Sequence, residues 1–175
     1  MIILVGASAT GKSEICKEII KKFGFEKMVT TTSRPMRVGE IQDADYHFIT
    51  NEEFERRIQN NEFLEYVNYS SYYYGTNKKD CGENKVLIVE PNGANALYDY
   101  LKDNCAIFYL ITSEEERIKR MHQRGDDEAN ITKRINNDKV VFQSSKLTHI
   151  DFYIEAENKS IEEIAYEIYT KYVNR

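Results

Sequence analysis

Apolar residues fall along the chain in short blocks whose spacing switches between two periods. Ile2–Val5 is a continuous apolar run closed by Gly6, the pattern of a strand covered on both faces. Ile15, Ile19, Ile20 and Phe23 then recur at helical spacing and Gly24 supplies the stop, which predicts a helix over Ser13–Phe23. Val86–Val89 and Ala106–Ile111 repeat the strand pattern, and each is followed by a helical one. Three hydroxyl residues stand three positions before a glutamate: Thr50 with Glu53, Thr112 with Glu115, and Ser160 with Glu163. Each pair predicts a capping box, in which the hydroxyl accepts from the first turn while the carboxylate reaches back. The last opens the clearest amphipathic helix, with Ile161, Ile164, Ala165, Ile168, Tyr169 and Tyr172 in one stripe suited to docking on a sheet.

Between Thr31 and Gly82 the pattern becomes alternating and aromatic, as in Tyr46–Ile49 and Phe63–Val67, which predicts a smaller, partly antiparallel insertion. Strand and helix patterns otherwise alternate, so the expected class is α/β with an open parallel sheet. A length of 175 residues fits one domain with a full core, and no repeat or proline-rich linker divides it. Apolar residues at 41% with charged residues at 30% exclude a disordered chain. With 24 basic against 29 acidic residues the net charge is -5, the wrong sign for a surface that grips nucleic acid or anionic lipid, so any anion site is local. No apolar run approaches the roughly 18 residues of a membrane span, and Met1–Gly6 lacks a basic leader; the expectation is a cytoplasmic protein without membrane or nucleic-acid partners. Cys16, Cys81 and Cys105 have neither metal-ligand nor disulfide-framework spacing, and Cys16 and Cys105 fall inside apolar patterns as core filler.

The strongest chemical signal is Gly6-Ala7-Ser8-Ala9-Thr10-Gly11-Lys12-Ser13, a complete G-x-x-x-x-G-K-S phosphate loop. It joins an apolar strand to an amphipathic helix. Backbone amides and the positive helix end therefore converge on a phosphate, Lys12 adds a mobile charge, and the Ser13 hydroxyl is placed for Mg2+. A glycine-rich turn is the bland alternative, but it has no need of this position between the first strand and the first helix. The expected ligand is a nucleoside triphosphate. A second signal is Thr30–Glu40 followed by Asp45–Phe48, where Arg34 and Arg37 offer permanently charged forks to a terminal phosphate and Tyr46 a hydroxyl. Alone it fits a solvated loop equally well.

The third signal is Glu65 on an apolar strand with Tyr72-Tyr73-Tyr74-Gly75-Thr76. Guanine presents two adjacent donors beside an acceptor; a carboxylate takes both donors and a threonine hydroxyl serves the acceptor, whereas adenine mismatches both. An exposed strand residue and a packed aromatic edge are the plainer readings. Finally, Arg117, Arg120 and Arg124 share one helical face, with Arg134 further on; this suits charge neutralisation at a transferred phosphoryl group, or simply a solvated face with a Glu116–Arg120 pair.

In this order and near this spacing, the phosphate loop, T-T-x-R-x-x-R-x-G-E, D-Y-H-F, F-L-E-Y and Y-Y-G-T make nearly the whole chain resemble the guanylate kinase family. The resemblance implies a P-loop three-layer α/β fold with a central parallel sheet. It places a core over about 1–31 and 84–175, a nucleoside-monophosphate-binding insertion over about 32–83, and a helical lid over about 122–140. It implies phosphoryl transfer from Mg-ATP to GMP, and to dGMP; an obligate protein partner is not indicated. ATP would be held by Gly6 through Ser13 with Arg120 and Arg124, and GMP by Thr30, Arg34, Arg37, Tyr46, Glu65, Tyr74, Thr76 and Glu90. Lys12, Arg120 and Arg134 would carry catalysis, Arg117 less clearly so.

Ile88 replaces the first aspartate of the family's L-D-I-D and Glu90 the second, while Ala156 stands where an asparagine near the ATP base is expected. The segment before Lys85 is short, which predicts a truncated helix there. A kinase of another phosphorylated acceptor and a non-catalytic binding module on the same fold remain alternatives.

Overall fold

A computed structural model describes residues 1–69 and 71–175. The chain forms two compact units, one of residues 1–26 and 83–175, the other of residues 27–82. Thr30, within the core bounds that the resemblance implies, falls in the smaller unit.

The larger unit is built on a five-stranded sheet. Strands β1 (Ile2–Val5), β2 (Glu26–Lys27), β7 (Lys85–Ile88), β8 (Ala106–Ile111) and β9 (Phe152–Glu155) are arranged β2-β7-β1-β8-β9. β1 lies parallel between β7 and β8, with Leu4 opposite Ile88 on one side and Phe108 on the other, and β9 runs parallel beyond β8. All four β1 residues are fully buried, which explains the continuous apolar run. Ile2 and Leu4 meet α1 (Lys12–Phe23) and α6 (Ile161–Val173) through Ile15, Ile19, Ile164 and Ile168. Alternation of side chains sends Ile3 and Val5 to the opposite face, where α3 (Pro91–Leu101) packs on β1. Cys16 and Cys105 are buried. Among the described residues no helix is long and apolar enough to cross a membrane.

Helix starts follow the expected capping chemistry with one shift. Ser160 and Glu163 form the complete box. The Thr50 hydroxyl accepts from the Glu53 amide, but the Glu53 carboxylate is taken by Arg56 and Arg57, so that box is half made. Thr112 is not the cap of α4 (Glu114–Gln123): Ser113 is, accepting from the Glu116 amide at 3.2 Å. The Glu157 carboxylate accepts from the Ser113 amide at 2.9 Å and so fills the place of the local Glu116, whose own carboxylate is engaged by Lys119 and Arg120. The helix expected before Lys85 is reduced to a single 3-10 turn, Lys78–Asp80.

The smaller unit carries a four-stranded sheet ordered β4-β3-β6-β5, from β3 (Thr31–Thr32), β4 (His47–Phe48), β5 (Phe63–Tyr69) and β6 (Tyr72–Asn77). β3 is parallel to β4 and antiparallel to β6, and β5 is antiparallel to β6. Phe54, fully buried on α2 (Asn51–Gln59), stacks on Phe63 at 4.2 Å and on Tyr73 at 5.1 Å between ring centres. Gly75 permits this layer: a Cβ there would lie 3.0 Å from Phe54 Cζ, 3.1 Å from Phe63 Cδ1 and 3.0 Å from the Glu65 carbonyl. Gly75→Ala is therefore expected to lower stability by about 1–3 kcal/mol. Denaturant melts check this.

Candidate active site

The phosphate loop leaves the carboxyl end of β1 at the centre of the sheet, where strand order turns outward in both directions and open α/β sheets place their ligands. Gly11 caps α1 with φ 94°, a left-handed conformation that glycine adopts without steric cost. Ala9 also has positive φ, at 61°. A side chain in that region costs roughly 1–2 kcal/mol. The conformation is held by packing of Ala9 against Met121, Ile131 and Ile135 and by an Arg120 Nη1 bond to its carbonyl at 3.4 Å.

Lys12 Nζ donates to the Gly6 and Ala7 carbonyls, both at 2.6 Å, and lies 5.6 Å from the Phe142 ring centre. Burial pushes its pKa down to about 8, opposed by the carboxylates of Asp138 and Glu90. Ser13 is exposed at the start of α1. Glu90, exposed at the cap of α3 just beyond β7, is the carboxylate at the end of the neighbouring strand. Ile88 packs against the core.

Arg120 and Arg124 join the loop around a cavity of about 280 Å3 that Ala9, Gly11, Lys12 and Ser13 also line. Arg120 keeps its Glu116 pair, Nε to Oε1 at 3.1 Å, and its Nη2 donates to the Ala156 carbonyl at 2.9 Å. Arg124, the C-cap of α4, pairs with Asp126. Arg134 is exposed on α5 (Glu128–Val141), outside that lining. Arg117 is not an outward cation: it is buried and paired with Asp138 at 2.7 Å. Ser8 gives its amide and hydroxyl to the same Asp138 carboxylate.

The second cluster lies in the smaller unit. Thr76 is 1% exposed and its hydroxyl donates to Glu65 Oε1 at 2.6 Å, across a directly opposed β5–β6 pair. The buried Asn77 amide anchors the strand end by donating to Thr31 Oγ1 at 2.7 Å and Asp80 at 2.6 Å. Arg34 stands among Tyr46, Phe48 and Tyr74, with its guanidinium carbon 5.8 Å from the Tyr46 ring centre and 5.6 Å from that of Phe48. Its two outer nitrogens grip Glu40 at 2.7 and 3.1 Å. The Arg34 guanidinium, seconded by the Arg37 amide, holds the Glu40 carboxyl below the usual carboxylate range. Arg37 itself is exposed, and the Thr30 carbonyl accepts from the His47 amide at 2.8 Å.

Sequence reasoning gave no role to Glu40, Asn77 or Asp138. Glu40 stood within a quoted motif, but its pairing with Arg34 depends on how the loop folds back. Helical spacing puts Asp138 on the face of Ile131 and Ile135, the signal of a buried position, but its partners Ser8 and Arg117 lie far away in the sequence.

A parallel sheet flanked by helices, with a G-x-x-x-x-G-K-S turn leaving its central strand, defines a P-loop kinase fold. The model of the family described as guanylate kinase matches residues 1–173. A guanylate kinase of Clostridium tetani is 38% identical over 133 residues, 73% of this chain and 64% of that protein. One of Fusobacterium nucleatum is 36% identical over 144 residues, 78% of each chain. The crystal structure of guanylate kinase from Anaplasma phagocytophilum shares the fold with a TM-score of 0.63 at 22% identity, over 99% of this chain and 84% of that one. The chain belongs to the guanylate kinase family of phosphotransferase enzymes.

Proposed function

We propose that the protein transfers the γ-phosphoryl group of Mg-ATP to GMP, and to dGMP, giving ADP and the nucleoside diphosphate, in the cytoplasm. The observation that carries this reading is the Glu65–Thr76 pair, a carboxylate and a hydroxyl fixed side by side on opposed strands of a chain that also holds an intact phosphate loop. The Glu65 carboxylate takes the N1–H and N2 donors of guanine while the Thr76 hydroxyl turns from Glu65 to O6. Adenine offers neither donor at those places. Arg34, Arg37, Tyr46 and Tyr74 hold the monophosphate, with Glu40 keeping the Arg34 guanidinium aimed. Thr30 and Glu90 complete the acceptor set.

On the donor side the amides of the loop and the helix end receive the triphosphate, with Lys12 along its β- and γ-phosphates and Arg120 and Arg124 at the rim. The exposed Ser13 hydroxyl and the Glu90 carboxylate are hard oxygen donors that would suit Mg2+. When bound, that ion neutralises charge on the phosphates. The transition state spreads negative charge over equatorial oxygens, so the protein's task is alignment and electrostatics rather than covalent chemistry. Lys12, Arg120 and Arg134 supply the balancing charge. Residues about 122–140 act as the lid that excludes water from the transfer.

Coupled ADP release with GMP, dGMP, AMP, CMP and UMP as acceptors tests the reading. The expected result is turnover with the two guanine nucleotides and rejection of the others by roughly 10^4-fold, as for a site whose buried polar groups are left unpaired by the wrong base. Equal rates with AMP would sink the base assignment.

A further inference from the structure

Asp138 is 4% exposed, yet it lies near the end of a helix whose apolar anchors are Ile131 and Ile135. Its Oδ2 accepts from the Ser8 amide at 2.9 Å and pairs with Arg117 Nη1 at 2.7 Å, while Oδ1 accepts from the Ser8 hydroxyl at 3.0 Å. The same Arg117 nitrogen donates to the Ser8 carbonyl at 3.4 Å. One buried ion pair, with a member from each of α4 and α5, thus binds every polar group of a single phosphate-loop residue.

We propose that Asp138 is a positioning residue for ATP: acting through Ser8, it holds the first half of the phosphate loop in its anion-receiving shape, with Arg117 as the neutralising partner. This rests on the reading of the loop as the ATP site.

Stability alone is a poor reason for the pair. Desolvation offsets most of the attraction between two buried charges, and an apolar pair of similar volume often serves as well or better. The surroundings call for a tether instead. On its β8 side the loop faces a cavity of about 200 Å3 lined by Ala7, Thr10, Thr112, Arg117, Asp138 and Phe142, and there the Asp138 carboxylate reaches across to Ser8. A bare carboxylate beside a triphosphate would repel it, and Arg117 cancels that charge. Because Asp138 occupies the Ser8 amide, the later amides of the loop are the ones left for phosphate.

Mg-ATP titration and steady-state kinetics on the full chain, with D138A, D138N and the double variant R117L/D138A, test the proposal. D138A is expected to raise both Kd and KM for ATP at least about tenfold, equivalent to about 1.4 kcal/mol, with KM for GMP unchanged. D138N keeps an acceptor for the Ser8 amide and should recover part of that loss. The double variant removes the stranded cation, so its melting temperature should return toward that of the wild type while ATP affinity stays low. Should D138A fail to fold, the double variant carries the test by itself.

Unaltered ATP affinity in a folded variant lacking Asp138 would overturn the proposal. So would restoration of ATP affinity together with melting temperature in the double variant, which would reduce Asp138 to a counter-ion of Arg117. A wild-type protein that binds no Mg-ATP would instead sink the kinase reading, and this inference with it.

Discussion

Replacing Lys12 with alanine is expected to lower kcat for ATP and GMP by about 10^2–10^3-fold, the usual consequence of deleting one preorganised charge at a developing anion. The ammonium is drawn over the loop by the Gly6 and Ala7 carbonyls, so it is already at the mouth of the anion site before substrate arrives. Burial costs it solvation, which brings its pKa down to about 8. A phosphate returns more to such a desolvated cation than to a hydrated one, because the competing water is already gone. Lys12→Arg should not rescue the loss. A planar guanidinium is larger and directs its donors in a fixed fork, and cannot follow the γ-phosphoryl group as a compact charge does. The checks are single-turnover kinetics for the chemical step and Mg-ATP titration for binding; full turnover in Lys12→Ala would remove the loop from catalysis.

Glu65→Gln is expected to reduce kcat/KM for GMP by about 10^2–10^4-fold, since two hydrogen bonds to a charged acceptor are worth about 1.5–3 kcal/mol each. A glutamine presents one acceptor and one donor, so one of the two guanine N–H groups would face an N–H. The activity with AMP, already low, has no comparable contact to lose, and the ratio of GMP to AMP activity should collapse with it. Thr76 sharpens the test because its hydroxyl bonds to Glu65 at 2.6 Å and is buried. The Gln variant retains an acceptor for that hydroxyl, so the β5–β6 pairing should survive and the melting temperature change little. The readout is coupled ADP release across the nucleotide panel, and a variant that kept wild-type selectivity would remove Glu65 from the base site.

Most of the secondary structure is written in local patterns. A strand sandwiched between two helical layers must be apolar at every position, and Ile2–Val5 and Ala106–Ile111 declare themselves that way. The Ser160–Glu163 box needs only residues within one turn. At α4 two overlapping frames, Thr112 with Glu115 and Ser113 with Glu116, carry the same local signature, and folding selects the second, with Glu157 from 44 positions away accepting from the Ser113 amide. Arg117 illustrates the same limit from the other side. Its spacing with Arg120 and Arg124 is plain in the sequence, but it is buried against a carboxylate from another helix.

By itself the sequence determined the phosphate loop and the order of motifs, because both are contiguous or closely spaced and their chemistry follows from the residues listed along a few turns of chain. It likewise determined the parallel core, through hydrophobic period and run length. Only the tertiary structure decided which polar groups are paired within the protein: Arg34 with Glu40, Arg117 with Asp138, and the Ser8 amide with a carboxylate 130 residues distant. The reason is physical, since an ionisable side chain is defined by what desolvates and pairs it, and those neighbours are assembled by folding rather than by adjacency in the chain.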